Sequence, residues 1–469
     1  MVLSPNPGSF RDPAGFIFEH DQVIYRAVAD FYRADYDLLM KSGLYADLTS
    51  PGWLIQHQEI LPPPVNMPQG YNLVLKPEMV PFISYPYEWS FSQLKSAALL
   101  TLDIQARAME YGLTLKDASA FNVTWNKGRP VFLDTLSFTA LKDNQPWVAY
   151  GQFCSHFLAP LTLMSARDLR LQALTRENLP GISLDLASKL LPRRSWFNLG
   201  SLLHIHLHAR SRQKHASTDQ KATATLTKKS LMNLVAGLRM AVEALKFPHT
   251  ATEWGDYYND TNYTPQQFQE KKDVISDWIK QFNPKTVCDL GANDGTFSRL
   301  AEESASLIIA ADIDPIAVEL NYRRCQQDNN EVMLPLLQDL TQPSPSLGWQ
   351  LKERAGLFSR LKADLGLALA LVHHLAITNN TPLPKIGEML AQAAPVWIVE
   401  FPDKADSQVQ RLLLNREDIF PNYTTTGFEQ ALEAMFLIVK IHHITNSYRT
   451  LYLVHRKNEA SAITRSPDD

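Results

Sequence analysis

The second half of the chain alternates short apolar runs with longer amphipathic stretches. TVCDL (286–290), LIIAADI (307–313), LGLALALV (365–372), PVWIVEF (395–401), FLIVKIHHI (436–444) and TLYLVHR (450–456) have the length and β-branched content of strands. The stretches between most of the early runs are long enough for crossover helices. That pattern predicts right-handed βαβ units, with helices on both faces of a largely parallel sheet. The last two runs lie too close together for a crossover and predict an antiparallel hairpin at the sheet edge. FQEKKDVISDWIKQF (268–282) and LMNLVAGLRMAVEALKF (231–247) carry apolar residues at helical spacing.

The first half reads differently. GFIFEHDQVIYRAV (15–28) predicts a strand pair, and PFISYPYEWSFSQLKSAALLTLDIQARAMEYG (81–112) an extended segment passing into a long helix. Between the halves, SRQKHASTDQKATATLTKKS (211–230) is polar, basic and nearly empty of large apolar side chains, as a linker would be. The expected organisation is therefore a domain over 1–209, a linker over 210–230, a second domain over 231–457 and a loose tail over 458–469.

Composition narrows the classes of function. A chain of 469 residues is too long for one ordinary core, which agrees with two domains. A net charge of −4 and a pI near 6.4 leave no global basic field and argue against generic duplex nucleic-acid binding. Three cysteines (Cys154, Cys288 and Cys325) without short paired spacing argue against a disulfide framework or zinc knuckle and fit a reducing compartment. The first residues show no signal pattern, and no apolar window is long enough to span a bilayer. A soluble, cytoplasmic protein with no membrane partner is expected.

Candidate chemistry is densest at VCDLGANDGTFSRL (287–300), a strand, a tight turn and a helix opening. In an open parallel sheet, ligands collect at the carboxyl ends of strands where strand order reverses. Gly291 and Gly295 allow a sharp bend and close approach, and Asn293 enters the left-handed region more readily than most residues. Asp312 closes the next strand, where a carboxylate can accept both hydroxyls of a ribose, and Asp339 follows the third. The alternative is that Asp289 and Asp312 only cap helices.

Asp289 before the turn, Asp312 after the second strand and Asp339 after the third together resemble the class I S-adenosylmethionine-dependent methyltransferases, over about residues 250 to 457. These read Asp-x-Gly-x-Gly-x-Gly at this turn; here Asn293 replaces the middle glycine. The resemblance implies a Rossmann-like α/β domain with an antiparallel last strand. It implies that Asp289, Gly291 and Gly295 line the methionine end of the cofactor, that Asp312 holds the ribose and that Asp339 meets the adenine amino group. A sulfonium cofactor carries no pyrophosphate, so an acid at this turn is acceptable. Tyr258 and Tyr263, in WGDYYNDTNYTPQQF (254–268), are candidates for a flap over the cofactor, with surface packing as the alternative.

Methyl transfer to oxygen or nitrogen is an in-line displacement that gains from orientation and, for a hydroxyl acceptor, from a base. Counting a third strand at LLQDL (336–340), LGLALALV is the fourth; His373 and His374 stand at its end, and one of them is the candidate base. The alternative is that they cap the strand or bond to backbone. Glu400, closing the fifth strand, is a candidate to orient a histidine or the acceptor.

In LTLKDASAFNVTWNKGRPVFLDTLSF (113–138), Asp117 and Asn122 are spaced as Asp-xxxx-Asn, and Asp134 follows a short hairpin. This resembles phosphotransferases of the protein-kinase and aminoglycoside-kinase type and implies an α+β kinase-like domain with a site for Mg-ATP. The basic residue at the end of the expected third strand is Arg26, not Lys; no glycine-rich loop is present, and Leu115 and Lys116 stand where a His would precede Asp117. An Arg does not simply replace a Lys at a shaped site. The readings left open are an active phosphotransferase, a non-catalytic nucleotide- or substrate-binding module, and an unrelated α+β fold.

Over its whole length the chain also resembles a bacterial group of class I methyltransferases, some members of which are nodulation-type proteins. SFRDPAGFIF (9–18), PFISYPYEWSFSQLK (81–95) and LKDASAFNV (115–123) carry that likeness. It implies a fixed two-module architecture and leaves the acceptor open. His204, His206 and His208 alternate in LLHIHLHAR, but no carboxylate or cysteine nearby completes a metal set, and no metal is expected. The PRR run at 192–194 and the linker lysines suit a phosphate-bearing partner or a solvated face.

The sequence thus predicts an S-adenosylmethionine-dependent O- or N-methyltransferase acting on a small-molecule or glycan-type acceptor. The rivals are a phosphotransferase with a regulatory methyltransferase fold and a non-enzymatic assembly module that retains the cofactor.

Overall fold

Alternating apolar and polar residues in GFIFEH and VIYRAV form two antiparallel strands, β1 (Gly15–His20) and β2 (Val23–Val28). The two-residue turn between them takes positive φ at both Asp21 and Gln22, as the twist of a tight hairpin requires. In this computed structural model, which describes residues 5–210, 227–248, 263–414 and 416–457, the chain divides into two units. The first comprises Met1–Thr250 with Ser346–Ala355; the second comprises Ala251–Pro345 and Gly356–Asp469.

In the first unit, β3 (His57–Glu59) and β4 (Leu73–Pro77) complete a four-stranded antiparallel sheet in the order β1-β2-β4-β3. The long helix expected after the aromatic segment is α1 (Phe91–Glu110). It starts at a capping box: Ser90 Oγ accepts from Gln93 N, and the Gln93 side chain accepts from Ser90 N at 2.8 Å. Two ribbons follow, with β5 (Leu113–Leu115) paired to β8 (Phe138–Ala140) and β6 (Val123–Asn126) paired to β7 (Arg129–Phe132).

Helix α2 (Lys228–Ala244) belongs to this first unit, although the sequence pattern assigned residues from 231 onward to the second domain. Its stripe of Leu231, Val235, Leu238 and Val242 needs a partner surface, and α1 supplies it. Arg239 pairs with Asp103 of α1, and Lys95 Nζ donates to the carbonyls of Glu243 and Leu245 at 2.8 Å each. The division accordingly falls at residue 250 rather than near 220, because helix packing and not local composition decides which unit a helix joins. Residues 211–226 of the expected linker and the expected tail over 458–469 lie outside the described residues.

The second unit is a doubly wound sheet. Strands β9 (Thr286–Leu290), β10 (Leu307–Asp312), β11 (Met333–Leu337), β12 (Leu365–Ala368) and β13 (Val396–Pro402) are parallel. The hairpin of β14 (Phe436–His443) and β15 (Arg449–Arg456) closes one edge, with β15 antiparallel to β13. The order β11-β10-β9-β12-β13-β15-β14 reverses between β9 and β12, so the switch point lies at the turn after β9.

Helix α3 (Pro265–Phe282) leads into β9 from a second capping box, Thr264 with Gln267, and ends at Asn283 in the left-handed conformation. Its Ile275 and Ile279 pack with Val287, Ile308 and Leu367 in one core, each such burial contributing about 1.5–3 kcal/mol. Strand β12 is shorter than its apolar run. Ala370 takes a φ of 51° and the chain turns helical, so His373 and His374 lie past the strand end rather than on it.

Candidate functional site

The turn after β9 has the shape its residues predict. Gly291, Asn293 and Gly295 all have positive φ (82°, 51° and 77°), and Asn293 Oδ1 accepts from Asp294 N at 2.8 Å. Gly291 N and Ala292 N donate to the carbonyl of Ala311, which ties the turn to β10. Asp312, the last residue of β10, receives Asn293 N on Oδ2 at 2.7 Å and Asp314 N on Oδ1 at 2.9 Å. Its carboxylate is thereby fixed in direction at the mouth of the turn.

The two glycines serve different purposes. Gly291 lines a crevice at the carboxyl ends of β9 and β12, along with Asp289, Asn293, Lys271, Tyr263 and Leu369. A Cβ at Gly295 would lie 2.5 Å from Asn321 Nδ2 and 2.7 Å from Arg299 Nη1, so that position serves packing against α4 (Pro315–Gln327) rather than the ligand side. Gly295, Asp312 and Asp339 are not among the residues lining the crevice. Asp339 sits two residues past β11 and accepts from Thr341 N at 2.8 Å and Thr341 Oγ1 at 2.6 Å.

Asp289 is buried, and Ser298 Oγ donates to it at 2.6 Å. Burial pushes its carboxyl up to about 7; the Ser298 bond opposes this, the charge of Asp312 adds to it and Lys271 opposes it. Burial likewise pushes Asp312 up to about 6 against the two backbone N–H donors. Asp289 lines the crevice and Asp312 stands on the neighbouring strand tip outside its lining; a cation nearby would favour the ionised form of each.

Beside them lies a buried charged network. Glu400 of β13 accepts from Lys271 Nζ at 2.5 Å and Ala370 N at 2.9 Å on Oε2, and from Arg449 Nη1 at 3.1 Å and the Tyr263 hydroxyl on Oε1. Arg449 also binds Asp406 at 2.8 and 3.1 Å. Burial alone would raise the Glu400 carboxyl, but Lys271 and Arg449 hold it down at about 2. All four partners are cations, a phenol or backbone, so Glu400 does not orient a histidine as its strand-end position suggested. The lysine left a trace in the sequence: Lys271 occupies an apolar-stripe position three residues after Phe268 and four before Ile275. Tyr263 lines the crevice as expected of one flap candidate, and Tyr258 lies outside the described residues.

His373 is fully buried, and neither ring nitrogen has a hydrogen-bond partner. His374 is half-buried, with ring centroids 4.1 Å apart between the two. Burial lowers both: His373 goes well below its ordinary value, and His374 to about 4, with Arg449 adding to the effect.

In the first unit, Arg26 lies in β2, the second strand rather than the third. It pairs with Asp134 at 2.8 Å and Asp12 at 3.2 Å. Asp134 further accepts from Leu136 N and from Ser137 Oγ at 2.5 Å, and Asn122 Nδ2 donates to Ser137 Oγ. Asp117 accepts from Ser119 N and Gln152 Nε2 and is raised by burial first, with its Asp134 neighbour adding. Among the described residues, no group of three His, Cys, Asp or Glu side chains could hold a metal ion. Asp134 is engaged by the Arg26 guanidinium, and a Mg-ATP site at these residues is not supported. The alternating histidines lie on a helix: Tyr150 bonds His204, while Ser188 and Ser195 bond the two ring nitrogens of His206.

No protein-family model matches the chain. The nodulation protein NoeA of Rhizobium meliloti (strain 1021) is 36% identical over 468 residues, covering 97% of this chain and 98% of that protein. Solved structures with partial similarity include the N-methyltransferase NodS from Bradyrhizobium japonicum WM9 in complex with S-adenosyl-L-homocysteine, at 10% identity over 44% of this chain and 94% of that one, TM-score 0.32. Magnesium protoporphyrin IX methyltransferase from Synechocystis PCC 6803 with bound SAH aligns at 17% identity over 44% of this chain and 93% of that one, TM-score 0.31.

Proposed function

The chain belongs to the family of the nodulation protein NoeA, and from that premise we propose that its second unit is an S-adenosylmethionine-dependent methyltransferase acting on oxygen or nitrogen of a small-molecule or glycan-type acceptor. One observation carries the reading. Asp312, at the tip of the strand beside the switch point, has its carboxylate aimed by Asn293 N and Asp314 N at the mouth of a glycine turn that opens on Asp289.

The residues present fit this cofactor. Ribose hydroxyls need a fixed carboxylate acceptor, which Asp312 provides; a sulfonium and an ammonium need negative charge in a partly dry place, which Asp289 and Asp312 provide. In this reading Asp339, two residues past the third strand, would take the adenine amino group. The cofactor supplies an activated methyl group. Gly291 keeps the crevice open, since a Cβ there would approach the Leu371 side chain at 3.3 Å. The Lys271–Glu400–Arg449 network holds Tyr263 and Ala370 at the crevice wall and so positions the walls rather than the reacting atoms.

Neither histidine lines the crevice; for a hydroxyl acceptor His374 is the candidate base of the two, because it is half-buried and neutral at physiological pH, whereas His373 is sealed off. The first unit serves in this reading as an acceptor-binding module and not as a phosphotransferase, because Arg26 engages the carboxylate that magnesium would need. The test is transfer of a labelled methyl group from S-adenosylmethionine into small-molecule and glycan fractions by the full chain. Label that appears with the wild type and is lost with Asp312→Ala supports the proposal; a wild type with neither transfer nor cofactor binding overturns it.

A further inference from the structure

Residues 197–207 leave an apolar face in water. Leu199–Ser201 and Leu202–Leu207 form one continuous helical segment, and Leu199, Leu203 and Leu207, spaced four apart, are all exposed, Leu199 at 68%. Phe197, just before it, is 93% exposed. The opposite face holds the segment in place: Ile205 and His206 are buried, and His206 stacks on Trp196 with centroids 4.1 Å apart. The segment packs on α2 at Gly200, where a Cβ would lie 2.8 Å from that of Ala241. Large apolar side chains gathered in this way mark a surface that is covered in use.

The charge around the face says what covers it. Arg193, Arg194 and Arg210 are exposed on the segment that carries the face, and no Asp or Glu occurs from 186 to 210. That local excess stands in a chain whose net charge is −4. Arg210 lies over the Trp196 ring at 4.4 Å, joining a cation to an aromatic ring at the margin of the face. Leucine and phenylalanine flanked by arginine form the composition of a helix lying in the plane of a membrane interface. A nucleic acid would use the cations and leave the leucines unexplained. No helix among the described residues is long and apolar enough to cross a membrane, so the chemistry is that of resting on a bilayer.

We propose that this face docks on the surface of an anionic lipid bilayer, with Phe197, Leu199, Leu203 and Leu207 entering the headgroup region and the flanking Arg193, Arg194 and Arg210 meeting lipid phosphates. This departs from the expectation of a solvated basic face and no membrane partner. Charge in the sequence was visible, but the exposure of the leucines was not.

Cosedimentation of the full chain with vesicles of phosphatidylcholine alone, and with phosphatidylserine added, tests the proposal. Binding is expected only to the anionic vesicles and should weaken as salt rises. Each basic side chain removed should lower partitioning about five-fold, so Arg193→Ala with Arg194→Ala should lower it about twenty-five-fold. Leu199→Ser with Leu203→Ser should lower it at least ten-fold with an unchanged thermal melt; Phe197→Ser, at the most exposed position, serves if that pair fails to fold. Absence of binding to anionic vesicles, or binding indifferent to both pairs, overturns the proposal. So does equal affinity for duplex DNA that survives the leucine substitutions, or self-association without lipid that they abolish.

Discussion

Glu400 and Lys271, 129 residues apart in the chain, meet at 2.5 Å with both side chains out of solvent, and Arg449 shares the same carboxylate from the neighbouring strand at 3.1 Å. Two cations held by one buried acid is an arrangement that tolerates removal of the acid poorly. A buried ion pair adds little net stability over apolar packing, yet breaking one strands the remaining charge. Here Lys271 would be stranded at the crevice wall, while Arg449 would keep Asp406.

Glu400→Ala is therefore expected to lower the stability of the second unit by about 3–5 kcal/mol, read by urea unfolding at neutral pH. The folded-state value of about 2 lies below the ordinary 4.5, so the stabilising contribution is full above about pH 4.5 and is lost as pH falls toward 2. A loss under about 1 kcal/mol would mean that water reaches these cations.

Asp289 predicts the reverse. Its folded value of about 7 lies above the ordinary 3.8, so the stability it contributes is full below about pH 4 and is lost as pH rises through 7. Asp289→Asn keeps the Ser298 contact and removes the buried charge, and should raise apo-protein stability by about 1–3 kcal/mol at pH 8 and by less at pH 5. The same substitution should weaken S-adenosylmethionine binding. Equal melting temperatures for the two proteins at both pH values would contradict the assignment.

The histidines are separated by their burial. With His374 lowered to about 4, a rate dependent on it should be flat from pH 6 to 8 and fall only in acid. His374→Ala should reduce kcat about 10²–10⁴-fold for a hydroxyl acceptor. His373→Ala should act chiefly on stability, since the side chain is fully enclosed. An inflection between pH 6 and 7 that disappears in His374→Ala would contradict a depressed histidine.

The turn offers a contrast between neighbours. Asn293 at a φ of 51° should accept glycine with a change below about 1 kcal/mol, because glycine enters that conformation without strain and offsets the loss of the bond to Asp294 N. Gly295→Ala forces a Cβ against Asn321 and Arg299 at positive φ and should cost about 2–3 kcal/mol in a thermal or urea melt. Comparable losses from both would mean that the turn is not held by local geometry.

Much of the second unit was legible because strand periodicity is local. The apolar runs from 286 to 290 and from 307 to 313 appear as β9 and β10, and the closely spaced last pair appears as the expected hairpin. The acids at the strand tips followed from strand ends alone. What escaped depended on partners distant in sequence. Lys271, Glu400 and Arg449 come together only when α3, β13 and β15 assemble, and an acid ending a strand looks the same whether it faces a cation or a histidine. The unit boundary escaped for a related reason: the basic stretch before α2 looked like a divide, whereas the stripe on α2 had its partner in α1. The strand carrying the histidines was read too long because its apolar run continues into a helix after Ala370.

The central claim is that the crevice beside Asp312 takes an adenosyl sulfonium. Calorimetric titration of the full chain with S-adenosylmethionine and its demethylated product, for wild type and Asp312→Ala at pH 7.5 and at pH 5, tests it most directly. Losing two ribose hydrogen bonds to a charged acceptor predicts binding at least 100-fold weaker in Asp312→Ala at pH 7.5. Because Asp312 and Asp289 take up protons near 6 and 7, the wild type should also bind more weakly at pH 5. Equal binding by wild type and Asp312→Ala, or no heat from the wild type at either pH, would contradict the account.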